Sequence, residues 1–315
     1  MSLTIVMYHY VRDLVRSRYP AIRGRTLHDF KEQLEYIARR YEVVTMEQVI
    51  AGIRGNERLP ENSCWLTFDD GYADHYLNVF PVLEARRWQG SFFPPARPIL
   101  EGRVLDVNKI HFILASEPNV GKLVGALRQE VELARAVGES LESWESYVAM
   151  YMTQCPLDSP EVLFLKLMLQ KGLPEGVRKR ICDSLFSQFV TSDEEAFAAE
   201  LYLSVDQART MARCGMAFGS HGYSHEWLAS LDSDAQSSDI DRSLSFLQTL
   251  GVPSENWAIC YPYGSYNQET LNIVRQRGCA LGVTTRDSVA SLDRDSAWEL
   301  PRVDTISLPS TPWAR

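Results

Sequence analysis

The most constraining feature of this chain is an ordered alternation of short apolar runs and helical stretches, with polar, chemistry-bearing residues placed just after the runs. Residues 3–8, 63–68, 91–93, 216–220, 257–261 and 280–284 are brief runs rich in β-formers, and runs of this length read as buried strands. Residues 26–39 carry Leu27, Phe30, Leu34 and Ile37 at helical spacing behind Thr26, a residue suited to an N-cap, and residues 73–88, 234–250 and 268–277 also read as helices. A short strand over 41–45 and a short helix over 46–52 complete the first part. Strand, polar loop and helix repeated in that order predict an α/β fold with a parallel sheet, and polar residues gathered at strand ends suit an α/β barrel.

The pattern is interrupted once. Residues 106–215 are rich in Leu, Ala, Glu and Arg, broken at Pro118, Gly138, Pro156, Pro160 and Pro174, and read as an all-helical insertion. The chain therefore divides into a first barrel part (1–105), the insertion (106–215) and a second barrel part (216–315). The apolar stripe Val162, Leu163, Leu165, Leu167 and Met168 reads as core of the insertion.

Composition removes several function classes. There are 32 Lys plus Arg against 41 Asp plus Glu, a formal charge of −9, and no basic block, so nucleic acid is excluded as a partner and a polyanion is a poor substrate. The six cysteines are scattered with no Cys-x-x-Cys pair, which points to reduced, buried thiols and not to a disulfide framework or a thiolate zinc site. The first residues lack a positive n-region, and no stretch approaches the roughly 18 apolar residues of a spanning helix. As given, the chain reads as cytoplasmic with no membrane span; its oligomeric state is not legible.

Two motifs carry chemistry. Thr67-Phe68-Asp69-Asp70-Gly71 sets adjacent carboxylates at a strand end, where one can hold a metal while its neighbour takes a proton from water. Asp-Gly is also a common turn dipeptide, so this motif alone does not decide. His221 and His225, four apart, present two imidazoles on one side of a turn or compact loop, and with a carboxylate they would make a three-ligand site with room for water. Two unrelated surface histidines would look the same. A zinc-protease helix is excluded, because Gly222 stands where that signature needs Glu.

Together the motifs resemble the polysaccharide deacetylases of carbohydrate esterase family four, over about residues 1–100 and 210–305. The resemblance implies a distorted (β/α) barrel with fewer than eight regular strands. It also implies Asp69 as general base, and Asp70, His221 and His225 as ligands of one divalent metal ion, zinc by preference. Tyr261-Pro262-Tyr263-Gly264 is similar to the family's third motif, which lines the substrate groove and makes Tyr261, Pro262 and Tyr263 the substrate-binding candidates. Two departures stand out. The arginine that many members carry before this motif is replaced by Cys260, with Arg302 a candidate to tune the base from the last strand. No histidine follows His225 to serve as the usual acid, and Val6-Met7-Tyr8-His9 resembles the subgroup acting on poly-N-acetylglucosamine, whose acid lies on the first strand; this implies His9.

The implied reaction is hydrolytic N-deacetylation of an amino sugar in a cell-surface polysaccharide or its precursor, the partner being an N-acylated amino-sugar polymer or glycan precursor. Alternatives are a deacylase or deformylase of lipid-linked or nucleotide-linked sugars, and an inactive sugar-binding homologue. A phosphatase of the haloacid dehalogenase type is a poor reading, since Phe68 stands where its first aspartate would be.

Overall fold

The computed structural model describes residues 1–156 and 158–309, so the last six residues of the second barrel part lie outside it. The chain forms two compact units, Met1–Asp13 with Gly24–Gly102 and Ala198–Arg315, and Leu14–Arg23 with Arg103–Phe197.

The first unit is a nearly closed barrel of seven parallel strands. In chain order its strands are β1 (Ser2–Tyr8), β2 (Glu42–Val43), β3 (Ser63–Asp69), β4 (Ser91–Phe93), β5 (Ala217–Phe218), β6 (Trp257–Cys260), β7 (Cys279–Asp287), β8 (Ala290–Ser291) and β9 (Leu300–Asp304). The spatial order is β5-β4-β3-β1-β9-β7-β6, with β2 beside β3 and β8 antiparallel to β1, both off this path. Among the described residues a single bridge, Ser220 to Ile259, joins the two ends. The expected distorted barrel with fewer than eight regular strands is therefore what the chain forms.

Side-chain alternation along each strand builds two layers. Leu3, Ile5, Trp65, Phe93, Ala217, Ala258, Cys260, Leu281, Val283 and Leu300 form one cluster inside the barrel. The opposite faces, among them Val6, Tyr8, Leu66, Phe68 and Phe218, pack outward on Phe30, Leu34 and Ile37 of the helix Leu27–Arg40 and on Val79 and Leu83. Thr26 caps that helix as its sequence position suggests, accepting the Asp29 N–H at 3.0 Å. The helix Val205–Arg213, within the stretch read as insertion, belongs to this unit because Ala208 and Met211 join the same outer cluster.

The stretch read as one helix over 73–88 is helical without a break from Ala73 to Arg86. A π-helical turn, His75–Val79, precedes the α-helix Phe80–Arg86. Pro81 has no N–H, and its ring crowds the carbonyl four residues back, so the preceding turn widens. His75 is fully buried there, its ring 5.5–5.7 Å from those of Phe68, Tyr72 and Phe92.

The second unit is all helical among its described residues, with helices Asp106–Ser116, Val120–Ala136, Trp144–Tyr151, Pro160–Leu167 and Glu175–Phe189. Phe112, Phe186 and Phe197 meet edge to face, and the buried Lys109 is held by Asp183 and by Glu194 at 2.9 Å. Among the described residues no helix is long and apolar enough to cross a membrane.

Burial pushes the His75 imidazole down to about 4. The unfolded chain, with an ordinary histidine, therefore binds the extra proton between about pH 6.5 and 4, so this residue's stability contribution is complete above that window and is lost as pH falls through it. Relative to His75→Phe, the native chain is expected to lose about 2 kcal/mol more on going from pH 7 to 4.5. Denaturant titrations of both proteins at the two pH values test this; parallel losses would contradict it.

Candidate active site

Alternation delivers the reacting groups to one end of the barrel. Along β3 the inward face runs Trp65, Thr67, Asp69, along β6 Ala258, Cys260, and along β9 Leu300, Arg302. Arg302 Nη1 donates to Asp69 Oδ1 at 2.8 Å and Nη2 to Oδ2 at 2.7 Å, a two-pronged pair of fully buried charges. Thr67 Oγ1 and the Thr284 carbonyl take further donors of the guanidinium, at 3.2 and 2.9 Å. Burial alone would raise the Asp69 carboxyl, but Arg302 outweighs it and holds the group down to about 2. Cys260, in the place where the family's arginine was expected, donates its thiol to Asp69 Oδ2 at 3.3 Å while its sulfur accepts from Arg302 at 3.1 Å. Burial raises its pKa, so the thiol keeps its proton. Arg302 thus brings to Asp69 the charge that position 260 does not.

Beyond the strand end the backbone turns sharply. Asp70 has φ of +70° and His225 of +58°, left-handed conformations that cost an ordinary residue about 1–3 kcal/mol and gather at functional sites. The turn takes Asp70 away from Asp69, and its Oδ1 faces His221 Nε2 at 3.4 Å and His225 Nε2 at 3.3 Å. Tyr72 donates to the other oxygen at 2.6 Å. His221 Nδ1 lies 2.7 Å from the Cys260 carbonyl; since a carbonyl only accepts, that nitrogen carries a hydrogen, which leaves Nε2 as the ring nitrogen able to offer a lone pair to a cation shared with Asp70. The loop between the histidines is pinned by Asp239, whose carboxylate accepts the Tyr223 and Ser224 N–H groups at 2.7 and 2.9 Å. Gly222, with φ of +68°, is required here because a Cβ would stand 2.7 Å from Asp239 Oδ1.

This donor set fits a divalent cation. Asp70 Oδ1 is buried without a hydrogen-bond partner, an arrangement that is costly unless something else fills it. One carboxylate oxygen and two imidazole nitrogens are the ligand types zinc takes in hydrolytic sites. Asp69, His221 and Cys260 are also mutually close, but Asp69 is committed to Arg302 and Cys260 is a protonated thiol, so that trio fits poorly.

His9 follows the inward series Leu3, Ile5, Met7 of β1, and its half-exposed ring brings Nε2 to 3.9 Å from Asp69 Oδ2. Tyr263, at φ of +57°, stacks on Trp227 with ring centres 4.3 Å apart and meets His225 edge-on at 4.6 Å. Tyr261 is a different case from the groove-lining role its motif suggests: it is fully buried in the outer layer with Ile259, Leu271 and Val274. Because Cys260 faces inward, alternation turns Tyr261 outward, and the buried Pro262 supports the turn. Sequence reasoning missed Tyr72, Trp227 and Asp239. The first two lie within two residues of motif residues, but Asp239 sits on the helix Ser233–Thr249 with no local signal.

Residues 186–282 match the polysaccharide deacetylase family model. Poly-beta-1,6-N-acetyl-D-glucosamine N-deacetylase of Escherichia coli (strain K12) is 34% identical over 91 residues, 28% of this chain and 13% of that relative. Over that stretch the chain is similar to the polysaccharide deacetylases. Its fold is shared by Streptococcus pyogenes deacetylase PplD in complex with acetate (TM-score 0.59, 19% identity, 99% of this chain and 95% of that one). The BpsB deacetylase domain from Bordetella bronchiseptica is also similar (TM-score 0.55, 18% identity, 96% and 95%). The match to the family model spans the histidine pair and the Tyr261–Gly264 motif, whereas Asp69, Asp70 and His9 reach the same site from outside it.

Arg302→Met is expected to destabilise the barrel unit by about 3–5 kcal/mol, since it leaves a buried carboxylate unpaired. Adding Asp69→Asn should recover part of that loss. Denaturant titration decides: equal stability of the single and double variants would mean the pair is not what holds Asp69.

Proposed function

We propose that this protein is a metal-dependent hydrolase that removes acetyl groups from the nitrogen of amino sugars in a polysaccharide, its substrate a β-1,6-linked N-acetylglucosamine polymer. One observation carries the reading: a buried carboxylate oxygen without a hydrogen-bond partner faces two imidazole nitrogens next to an arginine-held aspartate and a half-exposed histidine. The relative's name supports the polymer, and the shared family supports the chemistry.

Asp70, His221 and His225 hold the ion, zinc in this reading. When bound, such an ion polarises the acyl oxygen and lowers the pKa of water toward roughly 7. Asp69 takes a proton from the water that attacks the acyl carbon. Its pairing with Arg302 keeps it ionised and aimed at all working pH values, so it contributes placement more than basicity. The Tyr263 backbone N–H supports the oxyanion, and the Trp227–Tyr263 stack with Pro262 behind it lines the sugar site. His9 gives a proton to the departing nitrogen as the C–N bond breaks, so acetate and a free amine leave.

Stripping with a chelator is expected to abolish acetate release from β-1,6-linked N-acetylglucosamine oligomers, and added zinc to restore it. His225→Ala should lose the metal, whereas Asp69→Asn should retain it while kcat falls by about 10² or more. Metal analysis and acetate release test the scheme. Full turnover by chelated protein, or normal turnover by Asp69→Asn, would overturn it, and faster release from the free monosaccharide would remove the polymer.

A further inference from the structure

β1 ends its pairing with β3 at Tyr8, and the chain then leaves the sheet carrying His9. What holds it there is the π-helical turn that follows the double aspartate. His75 Nε2 lies 3.0 Å from the His9 carbonyl; because the carbonyl only accepts, His75 Nε2 carries the hydrogen and donates it. Asn78 Nδ2 donates to the Val11 carbonyl at 2.7 Å. Asp74 Oδ2 accepts the Val11 N–H at 3.3 Å and Arg12 Nε–H at 2.7 Å. Three side chains of one widened turn thus grip successive groups of residues 9–12. Elsewhere the His75 ring touches only a setting that suits a phenyl ring, among Phe68, Tyr72 and Phe92, and its Nδ1 is buried without a hydrogen-bond partner. A histidine is costly in such a place. The bond to His9 is what it supplies there.

We propose that Asp74, His75 and Asn78 are positioning residues for the reaction: they hold the backbone of residues 9–12 so that the His9 imidazole stays beside Asp69. This rests on the reading of His9 as the acid. The geometry gives each member a graded effect. His75 acts on the peptide of His9 itself and has the largest; Asn78 acts two residues further on. Neither touches Asp70, His221 or His225, so metal content is independent of both.

The test exploits leaving groups. An amide nitrogen departs only with a proton, whereas an aryl acetate expels a phenolate that needs none, so only the amide reaction depends on His9. In the full chain, His75→Phe keeps the bulk and removes the donor; the ratio of amide to aryl-ester turnover is expected to fall about tenfold through kcat, with KM for the oligomer and zinc content as in the native protein. His75→Gln, which retains a donor, should regain most of the ratio, and Asn78→Ala should show a smaller loss of the same kind. His9→Ala should lower the ratio by about 10², and adding His75→Phe to it should change nothing further. A fall in both reactions together, an unchanged ratio, or additive losses in the double variant would overturn the proposal. If His75→Phe does not fold, the Asn78→Ala ratio decides. Normal amide turnover by His9→Ala would instead sink the acid assignment on which the proposal rests.

Discussion

An ionised carboxylate at the inner end of an apolar barrel is the constraint around which this site is arranged. Asp69 stands on the same strand face as Trp65, fully buried, and only a matched cation makes its charge tenable there. Arg302 meets both oxygens, and Thr67 and the Thr284 carbonyl take its other hydrogens, so neither charge is left with an idle donor on the side facing the strands. The consequence reaches β6: with the charge already matched, position 260 needs only a small neutral group that bonds to both partners, and a protonated thiol does this. The charge that meets Asp69 comes here from β9 and not from β6.

How much of this was legible in the sequence depends on the range of the interaction. Strand runs, the double aspartate and the histidine pair are local patterns, and each is found at the end of the strand or loop that its pattern suggests. Thr26 was legible for the same reason. The charge swap was visible only as a missing residue at 260 and a spare arginine at 302, since the contact spans 233 positions between Arg302 and Asp69. Tyr261 shows where motif reading fails: its motif suggests the groove, but strand parity is set by Cys260, whose side chain must face inward to reach Asp69. Asp239 was not legible at all. A carboxylate in the middle of a long polar helix resembles any solvated residue until the fold lays it under the two amides between His221 and His225.

Strain follows the same logic. Asp70, His225 and Tyr263 all occupy left-handed backbone, each at some cost, and each is held by bonds from elsewhere in the barrel unit: Asp70 by its N–H to the Phe93 carbonyl at 3.1 Å and by Tyr72, His225 by the Asp239-pinned loop before it, Tyr263 by the stack on Trp227. A sharp turn directly after a strand is the only way for two adjacent residues to point into different roles, because an extended continuation would send Asp70 to the outer face. The positive φ is thus what lets one dipeptide serve both the arginine-held carboxylate and the histidine-facing one.

The same need appears at β1, with a different solution. His9 continues the inward parity of Leu3, Ile5 and Met7, so no reversal is needed to aim its side chain; what is needed is an anchor for backbone that has left the sheet. The helical run after the double aspartate supplies it: Asp74, His75 and Asn78 stand at i, i+1 and i+4, positions that share one side of a helix, and all three bond to residues 9–12. Pro81, which lacks an N–H, falls just after the π-helical turn of this run and so leaves the side chains that hold His9 in place.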